Sequence, residues 1–337
     1  MRIGLVYDLR KDYLELGFSQ EETAEFDSEN TIDELSGAIE SLGYQVDRVG
    51  NIMSLVSRLS QGQRWDLVFN ISEGLYGRSR EAQVPALLEA FGIPYTFSDP
   101  LTLSVCLDKA LTKRIVKDHG IATPWFFLVS SSRDLDSAPE PPSWPLFVKP
   151  VSEGTGKGVD ERSIVADREG LVSQCLRLLD KFRQPVIVET YLPGREFTVG
   201  VLGTGDDARA VGVIEVKLLA RAERGVYSYT NKELCEELVE YVLVREPAVV
   251  EEASRIAVSA YRALECRDAG RIDLRANSRG RLEFIEANPL AGLNPSHSDL
   301  PILCGKTGMP YTSLIGAIIE SASKRSVKER ITLHPTQ

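Results

Sequence analysis

Apolar positions in the first hundred residues come in short runs whose spacing switches between strand-like and helix-like. Residues 3 to 7 (IGLVY) form an unbroken apolar run of the buried-strand kind. Thr31 to Glu34 reads as a capping box opening a helix with Ile32, Leu35, Ile39 and Leu42 on one face, and Gly43 ends it. Strand-like YQVDRV, a short helix around Leu55 and Leu59, strand-like WDLVFNI, a helix with Pro85 near its start and the segment GIPYT follow. Strands alternating with helices predict a small parallel α/β unit.

Further on, PLTLSVCLDKALTKRIVKDHG predicts one helix, Ser130 to Ser143 an exposed loop rich in Ser, Pro and Asp, and PLFVKP a strand. VIVETYL, EFTVGVLG and AVGVIEVKL then succeed one another closely, with the turn TGDD between two of them, which predicts antiparallel pairing. A helix from Pro247 to Cys266, the strands GRIDLRA and RLEFIEA, a last helix and a polar tail complete an α+β region. The chain carries no internal repeat and no low-complexity tract.

Composition narrows the functional classes. The 337 residues are 43% hydrophobic and 26% charged, with a formal charge of -10, and no basic cluster offers a face for nucleic acid. The N-terminal apolar run is too short for a signal peptide, and no segment reaches about 18 unbroken apolar residues, so the expectation is a cytoplasmic protein without a membrane partner. Five scattered cysteines without a CxxC pair suggest reduced packing residues. The first strand runs into VYDLRKD rather than a GxGxxG turn, so a dinucleotide is not expected. His119, His297 and His334 stand in no triad or metal-ligand spacing.

Three constellations carry chemistry. In KPVSEGTGKGV a strand ends at Lys149 and enters a loop with Gly154, Gly156 and Gly158. Glycines let backbone N–H groups converge on an anion while Lys149 and Lys157 supply charge, although the same alternation also marks plain glycine-rich hairpins. Asp273, Glu286 and Asn288 lie on two strand-like segments, and pairing of those strands brings three oxygen ligands to one end. Two acids and an amide suit Mg²⁺ that also binds substrate phosphates, whereas solvated strand-end acids are the plainer reading. Arg271 shares a face with Asp273 and offers a fork for a carboxylate or a developing anion, or else a surface ion pair.

Lys109, KPVSEGTGKGV, VETYLPGREFTV, GRIDL and FIEANPLAGLNPSHS follow one another in an order and spacing that resemble the ATP-grasp ligases, closest to the D-alanine:D-alanine ligases, over nearly the whole chain. The resemblance implies an α/β and α+β ATP-grasp fold of three domains: 1–108, a small parallel N-terminal domain; 109–188, a central subdomain; and 189–337, a C-terminal subdomain with the metal and substrate site. It implies ATP and Mg²⁺ (or Mn²⁺), small amino-acid or carboxylate substrates, a homodimer, and an ADP-forming reaction through an acyl-phosphate.

Carried over by motif, Lys109, Lys149 and the loop Glu153, Gly154, Thr155, Gly156, Lys157 and Gly158 hold ATP. Glu189, Thr190, Tyr191 and Leu192 form the adenine hinge, Glu196 reaches the ribose, and Lys232 closes over the γ-phosphate from a lid at Gly225 to Glu237. Asp273, Glu286 and Asn288 hold the metal. Arg271, Thr155 and Lys232 carry the catalytic roles, and Gly292, Ser296 and Ser298 position substrate beside Arg271.

Departures from the family lie on the substrate side. Glu233 follows Lys232 where the family has tyrosine, and NISEGLYGRSREAQ puts Arg78 where an acid is usual, so Arg78 is expected to read an extra substrate carboxylate. Glu25 or Glu29 is expected to meet the amine of the first substrate. The substrate therefore need not be D-alanine. A phosphotransferase acting without ligation, or a nucleotide-binding protein without catalysis, are the competing readings, and the joint presence of Lys149, Arg271, Asp273, Glu286 and Asn288 opposes the last.

Overall fold

Three sheets, built from successive parts of the chain, make up the protein. The computed structural model describes residues 1–223 and 225–333, the last seven of these by backbone alone, so His334 lies outside the described residues. The first sheet holds β1 (Arg2–Val6), β2 (Gln45–Gly50) and β3 (Leu67–Asn70), parallel and in the order β2-β1-β3. GIPYT adds only a single bridge, between Val68 and Tyr95. The second sheet holds β4 (Phe126–Val129), β5 (Leu146–Pro150), β6 (Ile164–Val165) and β7 (Val186–Thr190), antiparallel in the order β4-β7-β5-β6.

The third sheet runs β10-β9-β8-β11-β12, all antiparallel, from β8 (Glu196–Leu202), β9 (Arg209–Leu218), β10 (Val239–Leu243), β11 (Ala269–Ala276) and β12 (Leu282–Asn288). The helix Pro247–Ala263 covers it, burying Ala253, Ala257, Ala260 and Tyr261 against Val199, Ile272 and Phe284. Proline at its first turn is free there because that N–H has no partner within a helix.

Local chemistry corrects three expectations. The cap of the helix Glu29–Ser41 is Ser28, whose hydroxyl accepts from the Thr31 N–H at 3.2 Å, so Thr31 sits inside the first turn instead of opening a capping box. The segment expected as one helix breaks into Pro100–Leu107 and Lys109–Asp118, because Asp108 is extended and its carboxylate caps the second helix through the N–H groups of Ala110 and Leu111. The exposed loop at 130–143 contains a short helix, Ser132–Asp136, whose capping box joins Ser131 and Asp134.

The core does not follow chain order. Ile3, Leu5, Ile32, Leu35 and Ile39 share one apolar cluster with Leu300, Leu303, Ile315 and Ile318, so the last helix, Tyr311–Leu333, packs on the Glu29–Ser41 helix. Each such side chain is worth about 1.5–3 kcal/mol on full burial. Arg325 on that helix also reaches buried Asp268 at 3.0 Å, beside β11. The chain's two ends therefore hold each other against the third sheet.

Candidate active site

β11 and β12 pair in a register that sets Asp273 opposite Glu286 and Arg271 opposite Asn288. The four side chains meet at one end of the third sheet because their strands run antiparallel and end together. Asn288 Nδ2 donates to Asp273 Oδ2 at 3.2 Å, and Arg271 lies 2.7 Å from Asp273 and 2.9 Å from Asp299. Burial, reinforced by Glu286, pushes the Asp273 carboxyl up to about 6. Glu286 is held well below the usual carboxylate range, since Lys109, Lys232 and Lys149 outweigh its burial.

Across from this edge stands the end of β5. Lys149 Nζ lies 2.9 Å from Glu189 Oε1, and Lys113, fully buried, lies 3.0 Å from Glu189 Oε2. The carboxylate is thus clamped between two lysines and lowered by both, although burial alone would raise it. Lys149 is raised by the same contact, whereas burial wins at Lys113 and lowers it. Lys113 is one helical turn beyond Lys109 and shares its face, the only sequence signal that could have found it.

The glycine-rich loop is tied down from the N-terminal side. Gly154 N–H donates to Glu25 Oε1 at 2.8 Å, Lys157 Nζ reaches Glu25 at 2.9 Å and Glu153 at 2.6 Å, and Arg80 reaches Glu25 at 3.1 Å. These cations draw the Glu25 carboxyl down to about 2 against its burial. Arg80 also donates to the Ser152 carbonyl at 3.0 Å, and Lys109 Nζ to the Glu153 carbonyl at 2.5 Å. Glu25 is therefore a loop anchor, not a free partner for an amine, while Glu29 is exposed and 3.3 Å from Lys11.

Within the loop, Thr155 adopts φ +47°, a left-handed backbone that costs a residue with a Cβ of order 1 kcal/mol or more. Its Oγ1 is buried without a hydrogen-bond partner. Gly156, at φ +74°, leaves room for a neighbour: a Cβ there would stand 2.7 Å from the Tyr229 backbone nitrogen. The segment after β9 thus lies directly on the loop.

That segment is more ordered than its polar composition suggests. It forms the short helices Tyr229–Glu233 and Cys235–Leu238, and buried Asn231 staples it by donating to the carbonyls of Glu223 and Val226. Lys232 stacks over Tyr227 with Nζ 4.7 Å from the ring centre and lies close enough to Asp273 and Glu286 to oppose the rise of the first and add to the lowering of the second.

Two cavities flank this machinery. A narrow one of about 90 Å³ is lined by Lys149, Glu189, Thr190, Tyr191, Leu192 and Glu196, with Lys232, Asp273 and Glu286 at one end. Glu196 is 3.1 Å from Arg275. The other, about 490 Å³, is lined by Lys109, Thr155, Arg271, Asn288, Gly292, Ser296 and Ser298 on one side, and by Arg10, Asp27, Glu73 and Glu81 on the other. Lys232 and Glu286 face both cavities.

The serine segment is shaped by Asn294, whose Oδ1 accepts from the N–H groups of Ser296 and His297 and whose Nδ2 reaches Thr31 at 2.9 Å. Arg78 is corrected outright. Its side chain is 72% exposed and bound to Asp108 at 2.6 Å, outside both cavities, because the buried Asp108 carboxylate, which caps the next helix through one oxygen, holds the guanidinium with the other.

The sequence profile described as "D-ala D-ala ligase C-terminus" matches residues 115–320. The D-alanine–D-alanine ligase of Bordetella petrii is 36% identical over 260 residues, 77% of this chain and 76% of that one, and the ligase of Aquifex aeolicus is 34% identical over 283 residues, 84% and 91%. The chain belongs to the D-alanine–D-alanine ligase family. Its fold is similar to the Bacillus anthracis D-alanine–D-alanine ligase complexed with ATP, with TM-score 0.73, 24% identity and coverage of 98% and 99%. It is an ADP-forming ATP-grasp ligase, and nothing favours phosphate transfer without ligation.

Within the family frame, the parts that sequence reasoning missed are mostly tertiary. Lys113, Arg80, Asn231 and Asn294 act by holding Glu189, the glycine loop, the lid and the serine segment; Arg80 and Asn294 lie inside the quoted segments NISEGLYGRSREAQ and FIEANPLAGLNPSHS, but their supporting contacts run to other parts of the chain.

Proposed function

We propose that the protein condenses an amino acid through its carboxylate with the amine of a second amino acid, D-alanine being the first substrate to test, using Mg²⁺-ATP. The observation that carries this is the meeting of Lys232 and Glu286 with both cavities, so that a phosphate in the narrow one faces a carboxylate in the wide one. The proposed division is 1–108, 109–188 and 189–337, with the last helix docked back on the first part. A homodimer and a cytoplasmic site of action, where ATP is made available, belong to the same reading.

Lys149 and Lys109, with the loop amides, bind the phosphates; Thr190 to Leu192 contact adenine; Glu196 meets the ribose. Asp273, Glu286 and Asn288 fit a hard dication, since two buried carboxylates paired across neighbouring strands gain from a shared positive charge and leave coordination sites for phosphate oxygens. Bound there, Mg²⁺ would neutralise charge on the transferring phosphoryl group.

A substrate carboxylate oxygen attacks the γ-phosphorus, ADP leaves, and the acyl-phosphate forms beside Arg271. Thr155 Oγ1, with no other partner, donates to the phosphoryl oxygens, and Lys232 holds them from above. The second amine then attacks the acyl carbon, inorganic phosphate leaves, and the amide remains, with the Gly292 segment and Arg271 stabilising the tetrahedral oxyanion.

The wide cavity also bears on the substrate. Asp27 and Glu81 are pushed up to about 7, and Glu73 well above its ordinary value, by burial and, at all three, by neighbouring carboxylates as well. A wall of this kind favours an ammonium group over an additional carboxylate. Phosphate release and product mass with Mg²⁺-ATP, screened over D-alanine, other D- and L-amino acids, diamino acids and dicarboxylic amino acids, test the reading. Condensation with a diamino acid or D-alanine supports it, and a product formed only with a dicarboxylic acid overturns the substrate assignment.

A further inference from the structure

The lid between β9 and β10 touches all three parts of the molecule. On the C-terminal side the Gly225 carbonyl accepts from Tyr191 Oη at 3.0 Å and Arg275 Nη2 at 3.0 Å. In the middle, Ser228 and Tyr229 rest on Gly156. At its far end Glu233 lies 3.2 and 3.3 Å from two nitrogens of Arg10, a residue 223 positions earlier at the start of the first helix. Arg10 is itself fixed, since Nε donates to the Thr23 carbonyl at 3.0 Å and Nη2 to the Ala24 carbonyl at 2.6 Å. Both side chains line the wide cavity, 27% and 28% exposed.

We propose that the Arg10–Glu233 ion pair is the latch that holds the lid shut against the N-terminal region, with Gly225 as the tethered end, and that Glu233 is a positioning residue for Lys232. The argument is geometric. The narrow cavity, at about 90 Å³, is far below the roughly 300–1,000 Å³ of ligand pockets, so a nucleotide enters only when the lid lifts. Lifting at the Glu233 end must break this contact to the N-terminal region, while the Gly225 end keeps two hydrogen bonds to its own side. Lys232 precedes Glu233 in the same helix, so closing the latch delivers its ammonium towards Asp273 and Glu286. A shut lid also keeps water from the acyl-phosphate. The family's tyrosine at this position gives way to an acid whose partner is an arginine of the N-terminal region.

The ligation part of this inference rests on the ligase reading, whereas lid opening is measurable without it. Amide hydrogen exchange of residues 225–238 is followed in the full-length protein and in Glu233→Gln, Arg10→Gln and the double variant. Glu233→Gln is the cleaner change, because Arg10 also holds two carbonyls. Each single substitution is expected to speed lid exchange about two- to five-fold, the range for a partly exposed ion pair. The double variant should exchange no faster than the faster single one.

Raising salt from about 50 to 500 mM should speed exchange more in the unsubstituted protein than in Glu233→Gln, since the interactions of Lys232 with Asp273 and Glu286 are screened in both and only the unsubstituted protein has the latch pair to lose. With Mg²⁺-ATP and D-alanine, Glu233→Gln should release more phosphate per condensed product. Unchanged exchange in both single variants, or effects that multiply in the double, overturns the latch. If the unsubstituted protein makes no product from D-alanine, that substrate falls and the exchange measurements still decide the lid.

Discussion

The two cavities that meet at Glu286 are opposites in their electrostatics. On the nucleotide side each buried charge has a partner within 3.6 Å: Glu189 sits between Lys113 and Lys149, Glu286 faces Lys109, and Glu196 faces Arg275. On the substrate side Asp27, Glu73 and Glu81 line the cavity together, and burial, with neighbouring carboxylates adding to it, raises all three. Paired charges make a preorganised cradle for phosphates once the lid has lifted. Crowded acids make a wall that gains free energy when a cation arrives, which suits recognition of an amine.

The largest effect is expected where the two sides join. Asp273→Asn or Glu286→Gln should lower kcat by about a thousand-fold with the melting temperature largely kept, because both acids serve the phosphoryl group and not the core. Near-normal turnover in both variants would remove the metal assignment. Next comes the cradle itself. Lys149→Ala leaves Glu189 with one cation in place of two, and should cost about 3 kcal/mol in denaturant unfolding as well as raising KM for ATP. A loss of ATP affinity without a loss of stability would show that the clamp is not a structural element.

The acidic wall gives a smaller, directional signal. Asp27 is faced by Asp8 and Arg10, and Glu81 by Arg80, Glu25, Lys109 and Lys157, with each carboxyl near 7 in the folded protein. A raised acid holds its proton in the folded state where the unfolded chain has already lost it. These two groups therefore stabilise the fold most below about pH 4, and that contribution fades as pH rises towards 7. An ammonium entering the cavity should drive protons off. Calorimetric titration near pH 7, in two buffers of different ionisation heat, should register proton release with an amino-acid ligand. No net release would mean that the ammonium binds elsewhere.

The smallest effect is expected at Arg78, whose exposed contact with Asp108 predicts an unchanged KM for every substrate in Arg78→Ala. A rise in one substrate's KM alone would bring that arginine back into the site.

Local chemistry could be read from the chain alone. Glycines at 154, 156 and 158 beside Lys149 and Lys157, and Asp273, Glu286 and Asn288 on two consecutive strands, were legible because a phosphate loop and a strand-end ligand set are defined by near neighbours. The switch from alternating strands and helices to closely spaced strands likewise marked the passage from a parallel to an antiparallel sheet, since a strand's period is written in its own residues, although β4 and β10 were not foreseen. Which charges meet depends on how the chain folds back on itself. Arg10 with Glu233, Glu25 with Gly154 and Lys157, and Ile39 beside Ile315 are joined across 223, 129 or 132, and 276 positions respectively. Arg78 shows the converse, as its role turned on a capping aspartate thirty residues away. An ionic contact needs no spacing in the chain, only proximity in the fold, so no local pattern announces it.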